Sequence, residues 1–187
     1  MKTHKVVSVL ALVACFTFAL SLVAAVSYAK TKGEINASVK AAMNRFKKQV
    51  KGSNEYLKVA KGVLIMPNIT KAGFIVGGQY GQGALQVRGK TVNYYSMASG
   101  SVGLQIGAEK YDMIIVFVTE EALNKFRTSE GWEAGADAEV TLVAAGADAP
   151  VSTLVSQHPI LGFVIDQKGL MAGVSVKGAK FTKIKPD

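Results

Sequence analysis

His158 is the side chain best suited to move a proton near neutral pH, and Ser156 and Asp166 flank it within ten residues. A hydrolytic triad would need the histidine beside an activated serine and an orienting acid. Neither Ser156 nor Asp166 sits in a nucleophile-elbow pattern, and Pro159 marks a loop or strand entry, so His158 reads as a structural or surface residue. Glu130, Glu133, Asp137 and Glu139 surround Trp132, the single tryptophan. Two carboxylates across a cleft could cleave a glycosidic bond. The stretch carries no sign of a cleft, so it reads as a solvated loop with Trp132 as a core anchor. Gly77-Gly78-Gln79-Tyr80-Gly81-Gln82-Gly83 invites a nucleotide reading. It lacks the Lys-Ser or Lys-Thr pair of a phosphate loop and the third glycine of a dinucleotide fingerprint, and no helix pattern follows. Strand curvature is the better account. One cysteine, Cys15, excludes a disulfide framework and a cysteine-rich zinc site, and two histidines, His4 and His158, leave no histidine cluster. No catalytic centre, metal or cofactor is expected.

The lysines carry more information. Ile35, Val39, Met43, Phe46 and Val50 recur at helical spacing, and Lys40, Lys47, Lys48 and Lys51 lie off that stripe. Lys177, Lys180, Lys183 and Lys185 crowd the C-terminal end. A basic amphipathic helix can lie on an anionic bilayer with its apolar side down and its lysines toward phosphate. It can equally pack on a core and leave its lysines in water. On the first reading the lipid-contacting residues are Lys40, Phe46, Lys47, Lys48 and Lys51, assisted by Lys180 and Lys183. Nucleic acid fits poorly, because only Arg45, Arg88 and Arg127 are present and no RNA-binding aromatic motif occurs.

The 187 residues suit one domain, and 49% apolar content excludes a wholly disordered chain. Lys2 and Lys5 precede 21 uncharged residues, Val6 to Val26, and Ser27-Tyr28-Ala29 places small residues before Lys30. Residues 1–29 read as an export signal with a leader-peptidase site after Ala29. The alternatives are a retained membrane anchor and lipidation at Cys15, within Leu12-Val13-Ala14-Cys15. Cleavage would leave residues 30–187 as one domain without cysteine. Losing Lys2 and Lys5 from 22 basic residues leaves 20 against 13 acids, a formal charge of +7. The expected destination is the periplasm or cell envelope, possible tethering to the membrane included.

The elements follow from period changes. Helices are expected at 34–51, at 53–61 with Ser53 as cap and Gly62 closing it, and at 119–127, where Glu120 and Glu121 open the helix and Lys125 nears its end. Strands are expected at Val63–Met66, ended by Pro67, within Gly73–Val87, and at Thr91–Met97, Ser101–Ile106, Met113–Val118, Ala138–Val143, Ile160–Ile165, Leu170–Val176 and Lys180–Ile184. Met113–Val118, a continuous apolar run, should be central and buried. Glycines concentrate between Gly62 and Gly107, where they permit sharp coiling of strands. The expected class is α+β: a glycine-rich antiparallel sheet curled toward a barrel, with an N-terminal amphipathic helix and one or two short helices.

Gly62 to Leu85 (GVLIMPNITKAGFIVGGQYGQGAL) resembles the opening of the SYLF domain, a lipid-binding module. The resemblance continues through Ser101–Glu109, Ile114–Phe126, Gly131–Val140 and Gly169–Ile184, and so covers nearly all of residues 30–187 in order. It implies binding of anionic lipids through a basic amphipathic N-terminal segment, which here is Ile35 to Lys51. Some fungal relatives also bind actin. This sequence departs from the eukaryotic pattern in its export signal, its lack of a companion domain, and Tyr94-Tyr95-Ser96 where many members carry tryptophan. The resemblance implies a membrane-associated module reading anionic phospholipid headgroups; the alternative is a non-enzymatic structural or stress-related envelope protein. An exported member is not expected to meet actin.

Overall fold

Thr31 starts the first helix with a capping box. Its side chain accepts from the Glu34 amide at 3.3 Å, and the Glu34 carboxylate accepts from the Thr31 amide at 2.8 Å. These bonds satisfy donors that a helix start leaves orphaned. The same bonds, with the Thr31 hydroxyl, hold the Glu34 carboxyl below its ordinary range. In the computed structural model, which describes residues 30–73, 76–102, 107–144, 149–171 and 174–187, α1 spans Lys32–Gln49. The export signal expected over residues 1–29 lies outside the described residues, as do 103–106 of the expected Ser101–Ile106 strand, 74–75 of Gly73–Val87 and 172–173 of Leu170–Val176.

The remaining helices are α2 (Ser53–Val59), α3 (Glu120–Thr128) and α4 (Val151–Gln157). The strands are β1 (Gly62–Gly73), β2 (Val76–Val87), β3 (Lys90–Val102), β4 (Gly107–Phe117), β5 (Trp132–Glu133), β6 (Thr141–Leu142), β7 (Ile160–Ile165) and β8 (Lys180–Ile184). They form one curled sheet in the order β5-β8-β3-β2-β1-β4-β7-β6. All pairings are antiparallel except β6 with β7. The class is therefore the expected α+β half-barrel, open at β5 and β6.

Both faces of the sheet's centre are buried, which explains its sequence. On β1, Leu64 and Met66 face one core, and Val63 and Ile65 face the other. On β4, Met113, Ile115 and Phe117 alternate with Ile114 and Val116 in the same way. A strand covered on both sides reads as a continuous apolar run. One side is closed by α1, α2 and α4. There Phe163 of β7 meets Phe46 and Tyr56 edge-on, at centroid distances of 5.0 and 4.9 Å. The other side is closed by α3 and the chain around β5 and β8. Phe126 stands at its centre, 4.7 Å from Tyr95, 4.9 Å from Phe117 and 5.3 Å from Trp132.

Pro67 does not end β1. It lacks the amide a ladder needs, and the strand absorbs it in a bulge, with register shifts on both sides and Asn68 at φ 51°. The Asn68 amide donates to Asp112 Oδ1 at 2.9 Å instead. Asp112 Oδ2 accepts from Arg45 Nε of α1 at 2.6 Å. One buried carboxylate thus ties helix, bulge and β4 together, and its hydrogen bond raises the Arg45 pKa above the ordinary value. Opposite the bulge, a Cβ on Gly83 would lie 2.0 Å from the Ile65 carbonyl oxygen, so only glycine lets β2 approach. The Gly77–Gly83 run serves the sheet, as the sequence suggests.

Other expectations shift. Gly52, at φ 77°, is the N-cap of α2, and Ser53 is its first residue, its hydroxyl donating to the Lys47 carbonyl. The helix ends at Val59, with Gly62 already in β1. Ala138–Val143 contributes β6 and an isolated bridge from Ala138 to Ala134, and Leu170 only an isolated bridge to Ile165. The α4 helix was not expected: it buries no residue fully and leans on the core through Val151, Leu154 and Val155, too weak a stripe to read.

Three measurements test this packing. Phe46→Ala removes a fully buried ring and should cost ~3–5 kcal/mol in denaturant unfolding. Arg45→Ala strips the buried Asp112 of its charged partner and should cost about 1.5–3 kcal/mol. Burial pushes the Tyr95 and Tyr111 hydroxyls up to about 12. Their contribution is complete below the ordinary value of about 10 and is lost as pH rises toward 12. Among the described residues the Tyr95 hydroxyl has no hydrogen-bond partner. Tyr95→Phe should therefore leave neutral-pH stability within about 1 kcal/mol or raise it, and reduce the alkaline loss in a stability-against-pH series.

Candidate functional site

The spacing of α1 separates its two faces. Ile35, Val39, Ala42 and Phe46 are at most 1% exposed and Val50 is also buried, so this face is spent on the sheet. Ala42, not Met43, fills the centre of the stripe, and Met43 is half-buried at its margin. Lys40 and Lys47, seven residues apart, lie on one outward stripe of α1 with Lys48 beside it, and Lys51 follows the helix in the turn toward α2. All four are exposed.

Phe46 cannot be a surface contact residue in this fold. It was expected to touch lipid, and it lies at 0% exposure against Phe163. The apolar stripe cannot serve core and bilayer together, and the interior of the sheet holds it. Lys180 and Lys183 are exposed on β8 but do not extend the α1 patch. Lys183 reaches across to donate to the Arg127 carbonyl beside α3, on the opposite face. Lys180 lies along Gly131, in contact range of any Cβ placed there. Of the expected set, the fold brings Lys47, Lys48 and Lys51 to one elbow, with Lys40 two turns back along the same side of α1.

The last three of these line an open depression of about 470 Å³ at the elbow between α1 and α2, with Gly52, Ser53, Asn54 and Glu55. Gly52, left-handed at φ 77°, turns the chain at this elbow, where Lys47, Lys48 and Lys51 line the same depression. An anionic group placed there meets several ammonium groups at once. Such attraction is long-ranged, salt-sensitive and weakly selective.

The remaining polar groups are occupied locally. His158 Nδ1 lies 3.0 Å from Thr141 Oγ1. Ser156 Oγ donates to the Thr153 carbonyl, and Asp166 accepts from the Lys168 and Gly169 amides. Asp137 accepts from the Glu133 amide at 2.6 Å, organising the turn after Trp132, while Lys125 donates to the Asp137 carbonyl. Trp132 is 1% exposed and belongs to the core. Sequence reasoning missed Arg45 and Asp112. Asp112 stands at the head of the Met113–Val118 apolar run, where an acid next to a buried strand signals a partner, but nothing in the spacing names Arg45.

A family model described as Ysc84, Las17-binding protein actin regulator, matches residues 98–186. LAS seventeen-binding protein 3 of Saccharomyces cerevisiae is 30% identical over 132 residues, 67% of this chain and 28% of that protein. Protein YSC84 of the same organism is 30% identical over 130 residues, 66% of this chain and 28% of its own length. The chain thus spans less than a third of these relatives. Their names bring Las17 and actin regulation into the family. They overturn the expected partner set, an anionic phospholipid membrane with actin set aside. The family model over residues 98–186 and these relatives agree with the resemblance carried by the sequence: the chain belongs to the SYLF family.

Proposed function

We propose that residues 30–187 form one non-enzymatic binding module, exported by residues 1–29 to the cell envelope, whose contact surface is the lysine face of α1. The observation that carries this reading is the division of α1. Its apolar side is wholly consumed by the sheet, while Lys40 stands outward along the helix and Lys47, Lys48 and Lys51 stand outward at the α1–α2 elbow. Contact through this face is electrostatic and does not insert the helix. The partner is an acidic protein surface. The relatives' names support a protein partner, since they describe Las17-binding proteins and an actin regulator. The narrower reading, anionic phospholipid headgroups as the ligand, would use the same lysines without Phe46, and it forms the second arm of the test.

The test compares residues 30–187 with the Lys47→Glu, Lys48→Glu, Lys51→Glu triple variant. Both are titrated against purified Las17, actin filaments, and vesicles of phosphatidylglycerol or phosphatidylcholine, from low to high salt. Salt-sensitive binding to a protein arm, weakened roughly tenfold or more in the triple variant, is the expected result. Binding confined to phosphatidylglycerol vesicles would move the ligand to lipid. Binding that ignores both salt and the triple change would discard the lysine face as the contact surface.

A further inference from the structure

The central strands run on past the elements that flank them. β8 pairs with β3 only from Tyr94 to Ala98, and β7 pairs with β4 only from Asp112 to Phe117. Ahead of Lys180 the chain turns toward Ala134, whose amide donates to the Ala179 carbonyl at 3.0 Å. The far ends of β3, β2, β1 and β4 therefore project together as a tongue of sheet, in that order. Among the described residues no strand pairs with the outer edge of Ser99–Val102 on β3 or of Gly107–Tyr111 on β4. Such an edge turns backbone amides and carbonyls outward at alternate residues, and it is a template for another strand.

The two edges differ in chemistry. Exposed Glu109 and Lys110 guard the β4 edge, and two-fold pairing centred on either would set like charge against like. The β3 edge reads Ser99-Gly100-Ser101-Val102, with no charge and no proline to block pairing. Gly100 is a second observation. A Cβ there would meet nothing within 4 Å, and its φ is not left-handed, so the chain's own fold does not require glycine as it does at Gly83. Glycine weakens a strand interior and marks places where another backbone comes close. We propose that two copies of the chain join along this edge, β3 against β3, antiparallel about a two-fold axis perpendicular to the sheet. The register that clears Lys180 centres on Ser101, so that Ser101 faces Ser101 of the second copy and Gly100 faces Val102. Opposed serines can exchange a hydrogen bond, and no charge meets its like. A flexible peptide would lose conformational entropy at every residue it added to so short an edge, whereas the edge of a folded copy is already ordered. The axis keeps both α1 helices on the same side of the joined sheet, and the pairing does not depend on what their lysines bind.

Native mass spectrometry of the full chain, Met1 to Asp187, released from mild detergent at rising concentration, counts the copies. Monomer should give way to dimer, with no larger species. Ser101→Lys and Ser101→Glu each set like charges across the axis, and either should weaken the dimer by about tenfold or more. Circular dichroism checks that both variants keep the fold. Mixing the two should restore a dimer holding one copy of each, because lysine then faces glutamate. Lys110→Glu, on the other edge, should leave the dimer unchanged. A chain that stays monomeric at every concentration would overturn the proposal, as would a dimer indifferent to both Ser101 changes. Folded variants that fail to associate when mixed would overturn the register about Ser101. An open series of larger species would mean that β3 pairs with β4 of the next copy, and it would overturn the two-fold.

Discussion

The structure depends on burying the apolar stripe of α1 against the sheet. Ile35, Val39, Ala42 and Phe46 close one side of β1, β2, β4 and β7, and Phe46 meets Phe163 edge to face. Without that cover, Val63, Ile65, Ala84, Ile114, Val116 and Leu161 would face water together. At roughly 1.5–3 kcal/mol for each large side chain, such exposure would cost as much as the whole stability of an ordinary domain. The helix is therefore a wall of the fold and not an appendage. Its N-terminus is fixed by a capping box and its flank by Arg45 on Asp112.

The same requirement shapes the strands. A sheet covered on both faces needs curvature to wrap the Phe126 cluster while staying under a straight helix. The Pro67–Asn68 bulge supplies a bend in β1, Gly83 lets β2 follow at backbone contact, and Asp112 satisfies the amide that the bulge releases. These three features form one device. Each removes a cost created by another: the proline removes a ladder donor, the bulge strands an amide, and the close approach forbids a side chain.

Function follows from what the core leaves over. A helix whose apolar face is committed retains only charge for recognition, and charge reads a partner's potential more than its shape. The Las17-binding relatives are more than three times longer than the matched region, so the shared domain is one part of what they do.

Local pattern was enough to determine much of this. The 3.6-residue stripe of α1, the acids and base that orient α3, the two-sided apolar runs of β1 and β4, and the glycine run of β2 are each encoded within a dozen residues. They correspond to elements where expected. Thr31-x-x-Glu34 was equally local and marks the helix start. Tertiary structure decided what no window contains. It assigned the α1 stripe to the sheet and so removed Phe46 from any surface, because an amphipathic pattern specifies that a face must be buried but not against what. It joined Arg45 to Asp112 across 67 positions. It sent Lys183 to Arg127 on the far face, away from the α1 lysines, because β8 pairs with β3 at the other end of the sheet. It carried β1 through Pro67, since a bulge is viable only when a neighbouring strand can take up the orphaned amide. Strand order and the pairing of distant side chains depend on contacts between segments far apart in the chain, and local periodicity carries no record of them.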